Sequence, residues 1–155
     1  MREQPRGLPA AVVRYGLECV LKQAHVNETT DVPTSASSWL VAVRAAESKK
    51  ATDIRVLDLT GITSFADYFV ICTGANQRQV QAIGDEVNLQ MKRQAGELPL
   101  SVEGYTQAEW LLADYGDLLV HVFSPKARQY YDLERLWRSA RMVEIPAEPG
   151  TSDAA

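Results

Sequence analysis

The run Tyr68–Cys72, with the sequence YFVIC, constrains the fold of this chain more than any other segment. Five consecutive apolar, β-prone residues do not alternate between a buried and a solvent-facing side, so a strand at this position has both faces covered. Thr73 and Gly74 end the run. The sequence therefore predicts a central strand with other elements packed on both of its faces.

The clearest helix of the chain follows this strand directly. Asn76 is the predicted N-cap, and Gln79 stands at the third helical position, as in a capping box. The apolar residues that follow fall at the spacings of one buried helical stripe: Val80, Ile83, Val87 and Met91. Gly96 is placed to end the helix, because glycine adopts the left-handed conformation without strain.

Further strands and helices are predicted around this unit. A helix capped by Ser38 would bury Leu40, Val43 and Ala46. The other strands are Asp53–Leu59, a short edge strand within Pro99–Glu103, and the hairpin arms Trp110–Ala113 and Leu118–Phe123. A final helix opening at Ser124-Pro125 would bury Tyr130, Leu133, Leu136, Trp137 and Ala140. The predicted fold class is α/β, a single domain with a mixed β-sheet of about five strands flanked by helices.

The composition of the chain changes near residue 38. Residues 27–38 are mostly Asn, Thr, Asp, Pro and Ser, with almost nothing to bury. The sequence predicts a poorly ordered N-terminal extension over residues 1–37, a folded domain over residues 38–145 and a flexible tail over residues 146–155.

The charge balance narrows the class of partner. Sixteen Lys and Arg residues against twenty Asp and Glu residues give a net charge of −4. Non-specific nucleic-acid binding draws its free energy from cations that displace counterions from phosphates, so this balance argues against a general nucleic-acid binder and favours a basic protein partner. The two cysteines, Cys19 and Cys72, indicate a reducing compartment, taken as the cytoplasm. No apolar run approaches the roughly 18 residues that span a bilayer.

Residues with catalytic or metal-binding chemistry are present but form no complete motif. His121 lies within a predicted strand, where its imidazole either is hydrogen-bonded or half exposed within the sheet or contacts a protein partner. No nucleophile motif accompanies it. Aspartates near strand ends could hold a metal, although turn formation is their commoner role: Asp58, Asp67, Asp85, Asp114 and Asp117. The turn at residues 73–76 could hold an anion but lacks a P-loop lysine. We expect no catalytic residue, no metal site and no cofactor.

Aromatic and acidic side chains concentrate in the last third of the chain. The aromatic residues are Trp110, Tyr115, Phe123, Tyr130, Tyr131 and Trp137. The carboxylates among them are Glu103, Glu109, Asp114, Asp117, Asp132 and Glu134. Trp137 fits a helix stripe and is expected in the core, whereas the position of Trp110 suits the core and an interface equally. Aromatic anchors ringed by carboxylates are typical of a surface that binds a basic protein.

Five motifs, in order along the chain, resemble those of one protein family. They are FADYFVI at 65–71, TGANQRQV at 73–80, WLLADYGD at 110–117, VHVF at 120–123 and RQYYDLERLW at 128–137. The resemblance extends over residues 40–142 and is to the ribosomal silencing factor family, also called the Iojap-related family. Ala108 stands where a glycine or another small polar residue often precedes the Glu-Trp pair, a departure expected to matter little.

The resemblance implies a nucleotidyltransferase-like topology and the function of an anti-association factor. Members of the family bind the large ribosomal subunit through ribosomal protein uL14, a basic protein at the subunit interface, and prevent joining of the small subunit when nutrients are scarce. Because family members are often dimers, the resemblance also allows a homodimer. The chain lacks the Gly-Ser motif and the Asp-x-Asp pair that hold two Mg²⁺ ions in nucleotidyltransferases, so we expect no enzyme. The alternative is a degenerate nucleotidyltransferase-like protein that binds nucleotides.

Eight residues are predicted to contact the ribosomal protein, because they match the family motifs and lie at strand ends, in a hairpin or near them. They are Asp67, Tyr68, Trp110, Asp114, Tyr115, His121, Phe123 and Tyr131. Arg78, Arg128 and Glu134, by contrast, are interpreted as helix-start residues or as residues of internal ion pairs. The predicted partners include neither a membrane nor a specific nucleic-acid sequence.

Overall fold

The computed structural model describes the backbone of residues 35–147 and the side chains of residues 38–147, so most of the predicted N-terminal extension and of the predicted tail lies outside it. At the centre lies β2 (Tyr68–Thr73), whose last five residues are all buried. It pairs with β5 (Leu118–Phe123) in parallel on one side and with β1 (Thr52–Asp58) antiparallel on the other. The predicted central, doubly covered strand is confirmed.

Within the described residues the sheet contains six strands, in the order β3-β4-β5-β2-β1-β6. β3 (Ser101–Glu103) pairs antiparallel with β4 (Trp110–Asp114), which pairs antiparallel with β5. β6 (Arg141–Val143) pairs antiparallel with the outer side of β1. The α/β fold class with a mixed sheet is confirmed, with one strand more than predicted. β6 has only three residues and no pattern of its own, so its pairing with β1 makes it a strand.

Helix α1 (Ser35–Ser48) lies against one face of the sheet. The prediction that Ser38 caps this helix is wrong, because Ser38 lies inside the helix and is buried, with its side chain hydrogen-bonded to the Glu97 carboxylate. The inward positions predicted for this helix are buried or half-buried: Leu40, Val43 and Ala46. A serine that resembles a cap in the sequence is thus used for a tertiary contact.

Helix α2 (Gln77–Gln90) packs beside α1 on the same face and begins as predicted. Asn76 Oδ1 accepts a hydrogen bond from the backbone N–H of Gln79 at 2.9 Å, and Gln79 Oε1 accepts one from the N–H of Ala75 at 2.6 Å. The predicted stripe is buried: Val80, Ile83, Val87 and Met91. Each such side chain stabilises the fold by about 1.5–3 kcal/mol relative to an exposed one. A π-helical turn then leads to Gly96, which ends the helix with φ of 66°.

Two short helices, α3 (Pro125–Tyr131) and α4 (Leu133–Leu136), cover the opposite face. The side chain of Ser124 caps α3, as predicted. The prediction of one continuous helix is wrong, because Asp132 adopts the left-handed conformation, with φ of 45°, between the two. No helix within residues 35–147 is long and apolar enough to cross a membrane.

The break at Asp132 changes which side chains of the predicted inward stripe face the sheet. Leu133 is buried, and Trp137 and Ala140 pack against the same core cluster. Tyr130 and Leu136 are exposed, contrary to prediction, because a helical period of 3.6 residues does not continue through a left-handed residue.

Arg128 holds α3, α4 and β2 together. Its Nε donates to Glu134 Oε1 at 2.8 Å, and its Nη1 donates to Thr73 Oγ1 at 2.9 Å. Arg128 is buried, so the carboxylate and the hydroxyl satisfy a cation that would otherwise be costly to remove from water. Of the two roles left open for Arg128 and Glu134, helix start and internal ion pair, the structure shows the ion pair.

The segment before β4 contains one strained residue. Ala108 is fully buried and has φ of 53°, a conformation that favours glycine because Cβ crowds the backbone. The departure from the family pattern at this position, which was expected to matter little, therefore carries a backbone cost.

Candidate functional site

The eight residues predicted to contact a ribosomal protein fall into two groups in the structure. Asp67, Tyr68, Asp114 and Tyr115 come together at the end of the sheet where β2 and β5 begin. Trp110, His121, Phe123 and Tyr131 belong to an aromatic cluster on the face covered by α3 and α4. Only the first group, with Tyr131, presents side-chain surface to solvent.

The aromatic cluster consists of Phe65, Phe69, Trp110, His121, Phe123, Tyr131 and Trp137. The side chains of Trp110, His121 and Phe123 are 3%, 2% and 1% exposed. The Trp110 ring lies 4.5 Å from that of half-buried Tyr131, measured between centroids. In the free chain the side chains of Trp110, His121 and Phe123 are covered, so Tyr131 is the member of this group with surface of its own. The contact of these residues with a ribosomal protein stays a prediction.

His121 is held neutral inside this cluster. The indole Nε1 of Trp110 donates to His121 Nδ1 at 3.1 Å, so the proton of the neutral imidazole lies on Nε2. Burial, assisted by the nearby Arg128 charge, lowers the pKa of His121 to about 3. Nε2 has no hydrogen-bond partner within the described part of the chain, and the Phe69 ring lies edge to face at 4.6 Å. A covered, neutral imidazole fits the sheet-histidine interpretation rather than an acid–base role.

Four carboxylates lie close together at the end of the sheet where β2 and β5 begin. They are here called the acidic end: Asp58, Asp67, Glu97 and Asp117. The strands bring them together, because β1 ends at Asp58 while β2 and β5 begin next to Asp67 and Asp117. The backbone N–H groups of Asp67 and Tyr68 both donate to the Asp117 carbonyl, at 2.7 and 3.1 Å. The pairing of the strands thus places these negatively charged residues next to one another.

Asp67 carries the least compensated charge of the acidic end. Partial burial raises the pKa of its carboxyl, and the charges of Asp117 and Asp58 raise it further. Burial and the Asp117 charge likewise raise the pKa of Glu97. Asp58 differs, because hydrogen bonds from Thr60, followed by the Arg141 guanidinium, lower its pKa. Among residues 38–147, no cation or hydrogen-bond donor meets the Asp67 carboxylate, so a cation from outside would be favoured there.

Two tyrosines frame this acidic end. The Tyr68 ring lies 6.3 Å from the ring of Trp39 on α1. The Tyr115 hydroxyl donates to Asn88 Oδ1 on α2, and Asp114 Oδ1 accepts from the Gly116 N–H at 2.8 Å. Asp114 therefore shapes the turn between β4 and β5, which keeps Tyr115 and Asp117 in place.

Glu97 and the neighbouring Leu98 and Leu100 also lie at this site, although the sequence motifs did not point to them. Both leucines are exposed, and Leu100 lies against the β4–β5 turn, with its backbone N–H donating to the Asp114 carbonyl at 2.6 Å. Two leucines on either side of a proline, in a stretch without a helical pattern, are the signal that could have indicated an exposed apolar surface.

The turn at residues 73–76 offers little to an anion. The N–H of Gly74 donates to the Phe123 carbonyl at 2.9 Å, and the N–H groups of Ala75 and Gln79 are taken by the capping box. Gly74 is needed for packing, since a Cβ there would lie 2.9 Å from a Val80 methyl group. No group of three or more metal-ligating side chains occurs within residues 38–147. The nucleotide-binding alternative gains no support from this geometry.

Comparison with known proteins identifies the family. The family model described as ribosomal silencing factor during starvation matches residues 32–155. A ribosomal silencing factor RsfS from Halalkalibacterium halodurans is 45% identical over 105 residues, which cover 68% of this chain and 89% of that protein. A crystal structure of a Bacillus halodurans protein, 41% identical, covers 70% of this chain and 98% of its own, with a TM-score of 0.63.

A more distant relative carries a related name. A mouse protein named mitochondrial assembly of ribosomal large subunit protein 1 is 29% identical over 106 residues, covering 64% of this chain and 46% of that protein. The fold class, the five sequence motifs and the family match over most of the chain all indicate the same family. The chain belongs to the ribosomal silencing factor family.

Proposed function

We propose that this protein represses translation in the cytoplasm by binding the large ribosomal subunit through the basic ribosomal protein uL14 and blocking joining of the small subunit. Membership of the ribosomal silencing factor family supports a role at the ribosome. The name of the mouse relative refers to the large subunit. The proposed role is steric and needs no catalysis.

The uncompensated carboxylate of Asp67 is the observation that carries the proposed contact. A partly buried anion beside two like charges is unfavourable in the free protein, and a Lys or Arg side chain of the partner would relieve it. Asp117 and Glu97 add to the negative charge around Asp67, so this surface favours a basic partner and opposes an acidic one. Tyr68 and Tyr115 add aromatic area beside the charges, as at many protein interfaces.

Occupancy of one surface is enough for the proposed effect. A stable protein interface covers about 1,600 Å² of total accessible area, which a domain of this size can provide on one side. A folded domain bound at the face where two subunits meet then excludes the second subunit by volume. The proposed repression follows from binding affinity and position alone.

A sucrose-gradient experiment with purified ribosomal subunits tests the proposal. The protein should remain with large subunits and reduce their joining to small subunits, and Asp117→Lys should weaken this binding by tenfold or more, an effect on the order of 1.4 kcal/mol. Asp117 is exposed and its side chain makes no hydrogen bond or ion pair within the described residues, so the variant should fold.

Glu109→Lys is the matched control. It makes the same change of charge at an exposed residue, at the other end of the β4–β5 hairpin. Unaltered subunit joining in the presence of wild-type protein would refute the proposed function. Equal binding of the Asp117→Lys and Glu109→Lys variants would refute the acidic end as the contact.

A further inference from the structure

β3 is an open edge of the sheet. It pairs with β4, and no strand lies on its other side within residues 35–147. Because the N–H and C=O groups of a strand point alternately to its two sides, part of the β3 backbone is left to pair with solvent or with another strand. Natural edge strands are commonly protected by shortness, by charged side chains or by proline; β3 has three residues, Glu103 among them, and no lysine or proline.

Exposed apolar side chains recur along this edge at every second residue. Leu98, Leu100 and Val102, here called the edge stripe, are 65%, 73% and 36% exposed. Leu100 also joins the pairing, since its N–H donates to the Asp114 carbonyl. An open strand edge flanked by three exposed apolar residues is a surface suited to bind an extended segment.

The acidic end continues directly into the edge stripe. Glu97 precedes Leu98 in the chain and lies close enough to Asp117 for the two charges to repel. Glu103 ends β3, and Asp114 faces Ser101 across the ladder. The edge therefore combines backbone hydrogen-bonding groups, apolar contacts and surrounding negative charge.

We propose that an extended, basic segment of the partner protein adds to β3 as a seventh strand, with apolar side chains on the edge stripe and Lys or Arg side chains at the acidic end. This inference rests on the proposed function and specifies how the partner is held. Strand addition gives affinity through main-chain hydrogen bonds, and the alternating side chains give specificity.

Charge distinguishes this occupant from a second copy of the chain. Pairing of β3 with β3 of another copy would place the acidic residues around one edge, Glu97 among them, next to those around the other edge. Like charges oppose such pairing, whereas a basic strand brings complementary charge to the same edge. The edge is thus suited to a different, basic protein more than to self-association.

Hydrogen exchange and one matched pair of variants test the proposal. On binding to purified large ribosomal subunits, backbone amides of residues 98–105 should exchange more slowly than in the free protein. Leu100→Ser should weaken binding about tenfold or more, because the side chain becomes buried only in the complex. Leu136→Ser, at a residue 70% exposed on α4, should change affinity by less than about twofold. Leu98→Ser serves as a second edge variant, and urea unfolding verifies that each variant is folded.

The outcomes separate this inference from the proposed function. If wild-type protein binds large subunits while residues 98–105 gain no protection, or Leu100→Ser binds like Leu136→Ser, strand addition is refuted and the proposed function stands. If wild-type protein does not bind large subunits, the proposed function fails and this inference with it. If the free protein sediments as a dimer that Leu100→Ser dissociates, the occupant is a second copy, which overturns the proposal of a basic partner strand.

Discussion

The aromatic cluster and the acidic end are built from the two residue types on which the predicted partner surface was based, aromatic rings and carboxylates, yet the structure uses them in opposite ways. In the cluster, rings lie 4.5–6.2 Å apart between centroids, and the Trp110 indole is hydrogen-bonded to His121. At the acidic end, carboxylates repel one another and Asp67 has no cation among the described residues. Side chains that pack and hydrogen-bond with each other stabilise the fold, whereas a carboxylate without a cation beside it is available to bind a partner. The amino-acid composition alone does not distinguish these two uses.

Trp110→Ala should have the largest effect on stability. It removes a buried indole from the aromatic cluster and leaves His121 Nδ1 without its donor, so the free energy of unfolding should fall by about 3–5 kcal/mol. Urea unfolding measures this loss. Trp39→Ala, at a half-buried residue on the other face, should cost clearly less. Equal losses would contradict the idea that the aromatic cluster is the more tightly packed region. Because Trp110→Ala weakens the fold, any loss of ribosome binding in this variant would not identify a contact.

His121 should make the aromatic cluster sensitive to acid. Its pKa falls from 6.5 to about 3 on folding, so the unfolded chain binds the proton more readily between these values and stability falls as the pH drops below 6.5. At 1.36 kcal/mol per pH unit, the wild type should lose about 2 kcal/mol from this residue between pH 7 and pH 5. Urea unfolding at both pH values compares the wild type with His121→Gln. A variant as acid-sensitive as the wild type would show that His121 is not the cause.

Asp67→Asn should have the smallest effect on stability and a clear effect on binding. The folded protein raises the pKa of Asp67, so the charged carboxylate is unfavourable above that pKa and the penalty disappears as the pH falls below the unfolded value of 3.8. The variant should therefore be slightly more stable at pH 7 and no more stable at pH 3. Binding to large subunits should nevertheless weaken about tenfold, as expected for loss of one charged contact. A variant that is less stable at pH 7, or that binds normally, would contradict the view of Asp67 as a charge reserved for a partner.

Much of the fold could be predicted because its central elements are specified locally. β2 follows from five consecutive apolar residues, and α2 follows from Asn76, Gln79 and one buried stripe. The errors occur where distant contacts decide the outcome. Ser38 meets Glu97, far along the chain, instead of capping α1, and β6 becomes a strand only beside β1. The left-handed residue Asp132 interrupts a helical pattern that continues without a break in the sequence.

The candidate site was only partly predictable for the same reason. The motifs pointed to Asp67, Tyr68, Asp114 and Tyr115, which the sheet brings together. They also pointed to Trp110, His121 and Phe123, because a motif does not reveal whether its residues are kept for packing or for binding. The contribution of Glu97 and Leu100 depends on where β3 lies, which is set by pairing with β4 and not by any local pattern.

The pairing of β6 with β1 has a consequence for synthesis of the chain. Asp58 on β1 contacts Arg141 on β6, 83 residues later in the sequence. During translation, the outer side of β1 therefore stays open until β6 has left the ribosome. An incomplete chain presents both β1 and β3 as unprotected edges, a state prone to aggregate. Nascent chains that stop before Arg141 should accordingly depend more on chaperones than the finished protein does.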